Sequence, residues 1–366
     1  MAVDVGVLGA DSPTGCRFLH LLTAHETFAP TVVTTVNPDD AGLSYGETAR
    51  WVLDDPMPPD VSDLPVVGHE PTDVPAGVEL LFSALPSGTA ERVETALADR
   101  GYVVCSTATN ERLAADVPLV VPEINPEHVE LLDRQRAERG WDGALIKNPG
   151  ASTVTALLPL AALTEFGLGA AHITTFQGAT GDTAGVPAME TLNNVVPHID
   201  GEESRLVTEL RKVLGSFDGE RITPHDISLS ASCNRVPMLE ACFENVWLRT
   251  TDPVTPVDIE SALRSAPAAD LPSAPTAPVQ VSLDPARPQP RLDAIAHSER
   301  LTDGEAGSNE RGITAGTAVG GQTVTAGSVQ TAVDGIQFDC VSHETIRGGA
   351  GGAILNAELL QRLGYL

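Results

Sequence analysis

Lysine is almost missing from this chain. Lys147 and Lys212 are its only lysines in 366 residues, and every other basic side chain is an arginine. Basic residues number 22 against 50 acidic ones, a formal charge of −28. So negative a chain repels phosphates, which argues against nucleic acid and anionic membrane surfaces as partners. Aromatic residues are also scarce, at 4%. Together these shortages describe a protein built for concentrated salt, where at ~1 M the screening length is ~3 Å and self-repulsion is tolerable. An ordinary acidic cytoplasmic protein is the plainer alternative. The five cysteines (Cys16, Cys105, Cys233, Cys242 and Cys340) are scattered, odd in number and never in CxxC pairs. That argues against a disulfide framework and a zinc site, so no metal is expected and the compartment reads as reducing cytoplasm. No apolar run reaches the ~18 residues of a membrane span. Met1-Ala2-Val3-Asp4 has no basic run and Ser12-Pro13 breaks the next apolar stretch, so no secretory leader is expected.

What is present is a folded, two-domain pattern. The apolar fraction of 42% is too high for disorder, and at ~150 residues per domain the length suggests two. Val3 to Leu8 reads as a buried strand, Gly9 to Gly15 as a turn, and Phe18, Leu19, Leu21 and Leu22 as one side of a helix. Strands are expected at Thr31–Val36, Glu79–Ala84 and Val103–Ser106, with a helix around Thr89–Arg100. This alternation predicts a doubly wound parallel sheet. After the break at Asn148-Pro149-Gly150, a helix is expected from Ser152 to Leu163. Strands follow at Ala171–Gln177, Ile227–Ser232, Asn245–Thr250 and Val279–Leu283, and a terminal helix at Gly352–Leu366. Pro267–Pro290 and Gly304–Gly327 read as loops or weak strands. Gly6, Gly9 and Gly15 are candidates for close backbone approach to a dinucleotide, although Ser12 stands where a further glycine is expected.

Six stretches carry a more specific signal. They are FSALPS (Phe82–Ser87), DVPLVVPEINPEH (Asp116–His128), NPGAST around Asn148, GVPAMETLNNVVPHIDGEE (Gly185–Glu203), SCNRVPMLEACFENV around Cys233, and SHETIRGGAGGAILNAELLQRLGYL at the C-terminus. In this order they resemble the aspartate-semialdehyde dehydrogenase family, in its archaeal and fungal branch. The resemblance implies a Rossmann-like doubly wound domain, residues 1–149 plus about 345–366, and an α+β substrate and dimerisation domain with a mixed sheet, residues 150–344. It implies an NADP- or NAD-dependent reduction of aspartyl phosphate to aspartate semialdehyde in amino-acid biosynthesis, by cysteine attack, histidine proton transfer and hydride reduction of a thioester. A homodimer or homotetramer in the cytoplasm is implied as well.

The catalytic pair departs from that pattern. The nucleophile position is Ala151, and the acid/base position, seven residues after Arg235, is Cys242. Ser152, one residue on, has no evident general base and is not expected to stand in. On the cofactor side, Asn37, Asp39 and Leu43 replace the residues that hold the 2′-phosphate of NADP, and Glu344 replaces an asparagine near the nicotinamide. Gly181 and Ser83 occupy cofactor-loop positions. Dinucleotide binding is therefore in doubt. The substrate positions are kept: Arg112, Asn125, Gln177, Glu202 with Glu203, Arg205 and Arg235. His343 and Cys233 also match and are read as structural. Three functions stay open: a catalytically silent member binding a small dicarboxylate or acyl phosphate, as a regulator or assembly partner; an active oxidoreductase with rebuilt chemistry, for example through Cys242; and a structural partner with a relic pocket.

Overall fold

The computed structural model describes residues 2–48, 50–178, 191–295 and 320–366. The chain divides into two compact units, one of Met1–Pro149, Ser216–Thr223 and Gly349–Leu366, the other of Gly150–Gly215 and Pro224–Gly348.

The first unit is built on a parallel sheet of β1 (Val3–Leu8), β2 (Phe28–Val33), β3 (Leu80–Ser83), β4 (Val103–Ser106) and β5 (Ala144–Lys147), in the order β2-β1-β3-β4-β5. Strands β3, β4 and β5 are buried at every residue, as a sheet covered on both faces requires. Helix α1 (Pro13–Leu22) follows β1 and buries Phe18, Leu19, Leu21 and Leu22; α2 (Ser87–Asp99) and α3 (Leu131–Arg139) lead toward β4 and β5. The second strand lies three residues earlier than the Thr31–Val36 expected. It contains Pro30, which lacks an N–H and is tolerated because β2 is an edge strand. Strand β5, short and ending in lysine, gave no clear alternation to read.

The second unit carries a mixed six-stranded sheet. Helix α4 (Ala151–Ala162) leads into β6 (Leu168–Gln177), α5 (Glu202–Val213), β7 (Ser228–Arg235), β8 (Ala241–Thr250), α6 (Pro256–Arg264), β9 (Val279–Val281), β10 (Val324–Ala332) and β11 (Gly335–His343), with sheet order β9-β10-β11-β8-β6-β7. Thr255 and Asp258 form a reciprocal capping box at the start of α6. Strand β8 starts at Ala241 rather than Asn245, which brings Cys242 and Glu244 into the ladder. Its register sets Cys242 between Gln177 and Ser342, and Glu244 between Thr175 and Cys340. Since side chains alternate along a strand, these six face the same side. Residues 304–319 of the glycine-rich stretch lie outside the described residues; the remainder runs into β10. The C-terminal helix α7 (Gly351–Leu363) belongs to the first unit and packs near β4. No described helix is long and apolar enough to cross a membrane.

Candidate active site

Helix α4 begins at Ala151, with Gly150 as its N-cap. Glu209, two turns along α5 from Glu202, accepts the Gly150 N–H and the Thr153 hydroxyl, both at 2.8 Å. Glu202 sits on the same face and gathers three donors: Ser152 Oγ at 2.7 Å, Gln177 Nε2 at 3.3 Å and Arg205 Nη2 at 2.9 Å. Burial pushes the Glu202 carboxyl up, but these hydrogen bonds and the Arg205 charge outweigh it and leave it below the usual range. Ser152 thus does have a carboxylate partner, which the sequence reading missed. With its affinity for protons lowered, that carboxylate is a poor general base. Glu203 turns the other way and accepts the Cys233 amide at 3.3 Å.

Ala151 itself is half-buried and offers only a methyl group. A Cβ built on Gly348 would lie 2.3 Å from the Ala151 Cβ, so the two backbones meet where a larger residue at 348 could not stand. Arg235, at the end of β7, is 3% exposed. Its Nη1 donates to the Gly178 carbonyl at 2.6 Å. Burial pulls the guanidinium down while the charges of Glu344 and Glu202 hold it up. Glu344 is close: its Oε2 would lie 3.3 Å from a Cβ on Gly178, and its amide donates to the Glu240 carbonyl.

Cys242 is 1% exposed, and its thiol donates to Glu244 Oε1 at 3.4 Å. Burial, then the charges of Glu244 and Glu344, push this thiol well above its ordinary value. Glu244 is completely buried, and burial raises its carboxyl as well. A thiol held up by burial and spent on a buried carboxyl is a poor nucleophile and a poor proton shuttle. Glu244 was overlooked in the sequence; its signal was the i, i+2 spacing from Cys242, legible only once both are known to share a strand. Cys233 has its thiol pushed up to about 12 by burial. His343 is buried, and its Nδ1 accepts the Ile346 amide at 3.3 Å.

Apart from Gly181, the remaining candidates lie in the first unit. Arg112 is buried and donates to the Thr107 carbonyl at 2.5 Å. The Asn125 amide is spent within its own turn, on Val121 N, Leu119 O and His128 Nδ1. Gly6 sits inside β1, where a Cβ would come 2.6 Å from the Leu81 side chain; its role is sheet packing rather than ligand approach. Gly9 has φ 71°, and a Cβ on Gly15 would fall 2.1 Å from the Gly9 carbonyl oxygen, so both permit the strand–helix turn. Ser83 Oγ is fully buried at the end of β3, with no hydrogen-bond partner among the described residues. Gly181 lies outside the described residues. Among those described, no group of three or more His, Cys, Asp or Glu is placed to hold a metal.

The 2′-phosphate of NADP does not fit this surface. The stretch from Thr34 to Tyr45 contains no lysine, arginine or histidine. Asn37 and Asp39 are exposed there, and the Asp40 carboxylate takes the Thr35 hydroxyl and the Asn37 amide, both at 2.8 Å. A phosphate would meet carboxylates and no lysine or arginine of this stretch.

Residues 4–132 match the family model described as semialdehyde dehydrogenase, NAD binding domain, and residues 147–300 the one described as semialdehyde dehydrogenase, dimerisation domain. An aspartate-semialdehyde dehydrogenase of Archaeoglobus fulgidus is 36% identical over 362 residues, covering 98% of each chain. A malonyl CoA reductase (NADP) of Metallosphaera sedula is 29% identical over 375 residues, covering 100% of this chain and 98% of its own. The crystal structure of aspartate semialdehyde dehydrogenase with NADP from Candida albicans superposes with a TM-score of 0.84 at 30% identity, covering 100% of both chains.

Proposed function

Because this chain belongs to the aspartate-semialdehyde dehydrogenase family, whose members take NAD or NADP, we propose that it is a member that keeps an anion-binding pocket and does not run the thioester reaction. The observation that carries this reading is the pair of replacements at the catalytic positions. Ala151 cannot attack a carbonyl, and Cys242 is a buried thiol held against Glu244. Loss of a nucleophile from a site that works as a unit can cost ~10⁶ in rate.

The anion pocket rests on Arg235. Its guanidinium is desolvated, one N–H is held by Gly178, and its planar fork suits a carboxylate or phosphate. Arg205 is tied to Glu202 and contributes less. The ligand class is a small dicarboxylate or phosphate bound without turnover. The dimerisation-domain match and the half-buried Phe176, Phe243 and Trp247 on the outer face of the second sheet favour a homodimer. The charge of −28 favours folding and assembly in concentrated salt.

The test is a titration with succinate and with inorganic phosphate in molar salt, alongside an assay of NADP-dependent oxidation of aspartate semialdehyde in phosphate. Binding without turnover is expected. Replacing Arg235 by alanine should weaken binding by about 1.5–3 kcal/mol, roughly tenfold to a hundredfold. Turnover near ~1 s⁻¹ or above would overturn the reading.

A further inference from the structure

We propose that the turn between β1 and α1 has lost the capacity to hold a dinucleotide pyrophosphate, through Asp11, Ser12 and Pro13, so that this chain binds neither NADP nor NAD. The inference reaches further than the loss of the 2′-phosphate site. It is independent of the anion pocket, which lies in the other unit.

A pyrophosphate is held at a strand–glycine turn–helix by backbone N–H groups that no protein acceptor has taken. Here most are taken. The Gly9 amide donates to Thr34 Oγ1 at 3.1 Å, and the Ala10 amide to the Thr34 carbonyl at 2.8 Å. The Ser12 amide closes back on the Gly9 carbonyl at 3.1 Å. Ser12 Oγ accepts the Gly15 amide at 3.0 Å while donating to the Gly9 carbonyl at 2.8 Å. Pro13 is the first helical residue and has no N–H at all. From Gly9 to Gly15 this leaves the amides of Asp11 and Thr14. A helix start satisfied by its own serine cap has no need of an anion.

The charge is also wrong. Both Asp11 carboxylate oxygens accept the Val36 amide, at 3.2 and 3.3 Å. That pins a negative charge between the turn and the end of β2, where a dinucleotide would pass from its pyrophosphate to its adenosine ribose. The stretch that follows β2 adds Asp39 and Asp40 and, up to Tyr45, no lysine, arginine or histidine. A linkage bearing two negative charges would meet the Asp11 carboxylate beside the two remaining amides.

The experiment is calorimetric titration of the full chain in molar salt with NAD and with NADP. No saturable binding is expected for either up to ~1 mM, the upper end of the usual range for enzymes and their substrates. The triple variant Asp11→Asn, Ser12→Gly, Pro13→Ala should gain NAD affinity by about tenfold or more, the worth of one recovered charge-assisted hydrogen bond. Circular dichroism checks that it folds. If it does not, Asp11→Asn alone, at a half-buried position, replaces it, with a smaller gain expected. Sub-millimolar binding of NAD or NADP to the unaltered protein overturns the proposal. A folded variant that stays silent overturns the assignment to these residues.

Discussion

Lys147 offers the sharpest test of how this acidic chain is held together. Its ammonium and the Glu94 carboxylate are both completely buried, 2.5 Å apart. Lys147 also reaches Ser106 Oγ at 2.9 Å and Asn110 Oδ1 at 3.3 Å, while Ser106 donates to the second Glu94 oxygen at 2.6 Å. Burial pulls the lysine down and the Glu94 charge pulls it back. The pair fastens α2 to the ends of β4 and β5. Replacing Lys147 by methionine strands a carboxylate with no water to solvate it, and one-sided loss of a buried pair costs about 3–5 kcal/mol. At roughly 2–4 °C per kcal/mol for a domain of this size, the melting temperature should fall by roughly 10 °C. The double variant Lys147→Met, Glu94→Leu removes both charges and should recover most of that loss. Thermal unfolding should be followed at two salt concentrations in the molar range. Added salt weakens exposed pairs but does not reach a buried one, so the deficit should not change. A loss under ~0.5 kcal/mol for Lys147→Met, or a double variant worse than either single one, would refute the reasoning.

Three further outcomes are expected. Ala151→Cys alone should give no NADP-dependent oxidation of aspartate semialdehyde, because position 242 offers a buried thiol in place of a histidine; measurable turnover in that variant would show that a shuttle exists. Glu244→Gln should flatten the alkaline side of the stability profile. Burial raises the folded Glu244 carboxyl above the ~4.3 of an unfolded glutamate, with Cys242 and the Glu202 charge facing it. Its contribution is therefore complete below about pH 4 and is lost as pH rises toward the folded value; melting curves that stay parallel from pH 5 to 9 would contradict this. Finally, both lysines are buried, so an amine-selective reagent should spare Lys147 in the native protein and label it after unfolding, as mass spectrometry would read.

Much was determined by the sequence alone. The apolar run Val3–Leu8, the turn from Gly9 to Gly15 and the first helix were legible because strand burial and helical periodicity are local properties. The replacements proposed at positions 151 and 242 rest on a residue count from the Asn148 and Arg235 motifs. The excess of acidic over basic residues needed only arithmetic. What the sequence left undecided was anything that depends on which strands lie side by side. Strands β5 and β11 were missed: β5 is a run of only four residues, whereas in β11 the alternation of Ile336, Phe338 and Cys340 with Gln337 and Asp339 was legible and passed over. The early start of β8 then decided the site. Only the register of β8 against β6 and β11 puts Thr175 and Cys340 on either side of Glu244. Only the packing of α5 against α4 gives Ser152 its carboxylate. Whether a carboxyl is a base, a cap or a buried acid follows from its desolvation and its donors, and those come from residues tens to hundreds of positions away.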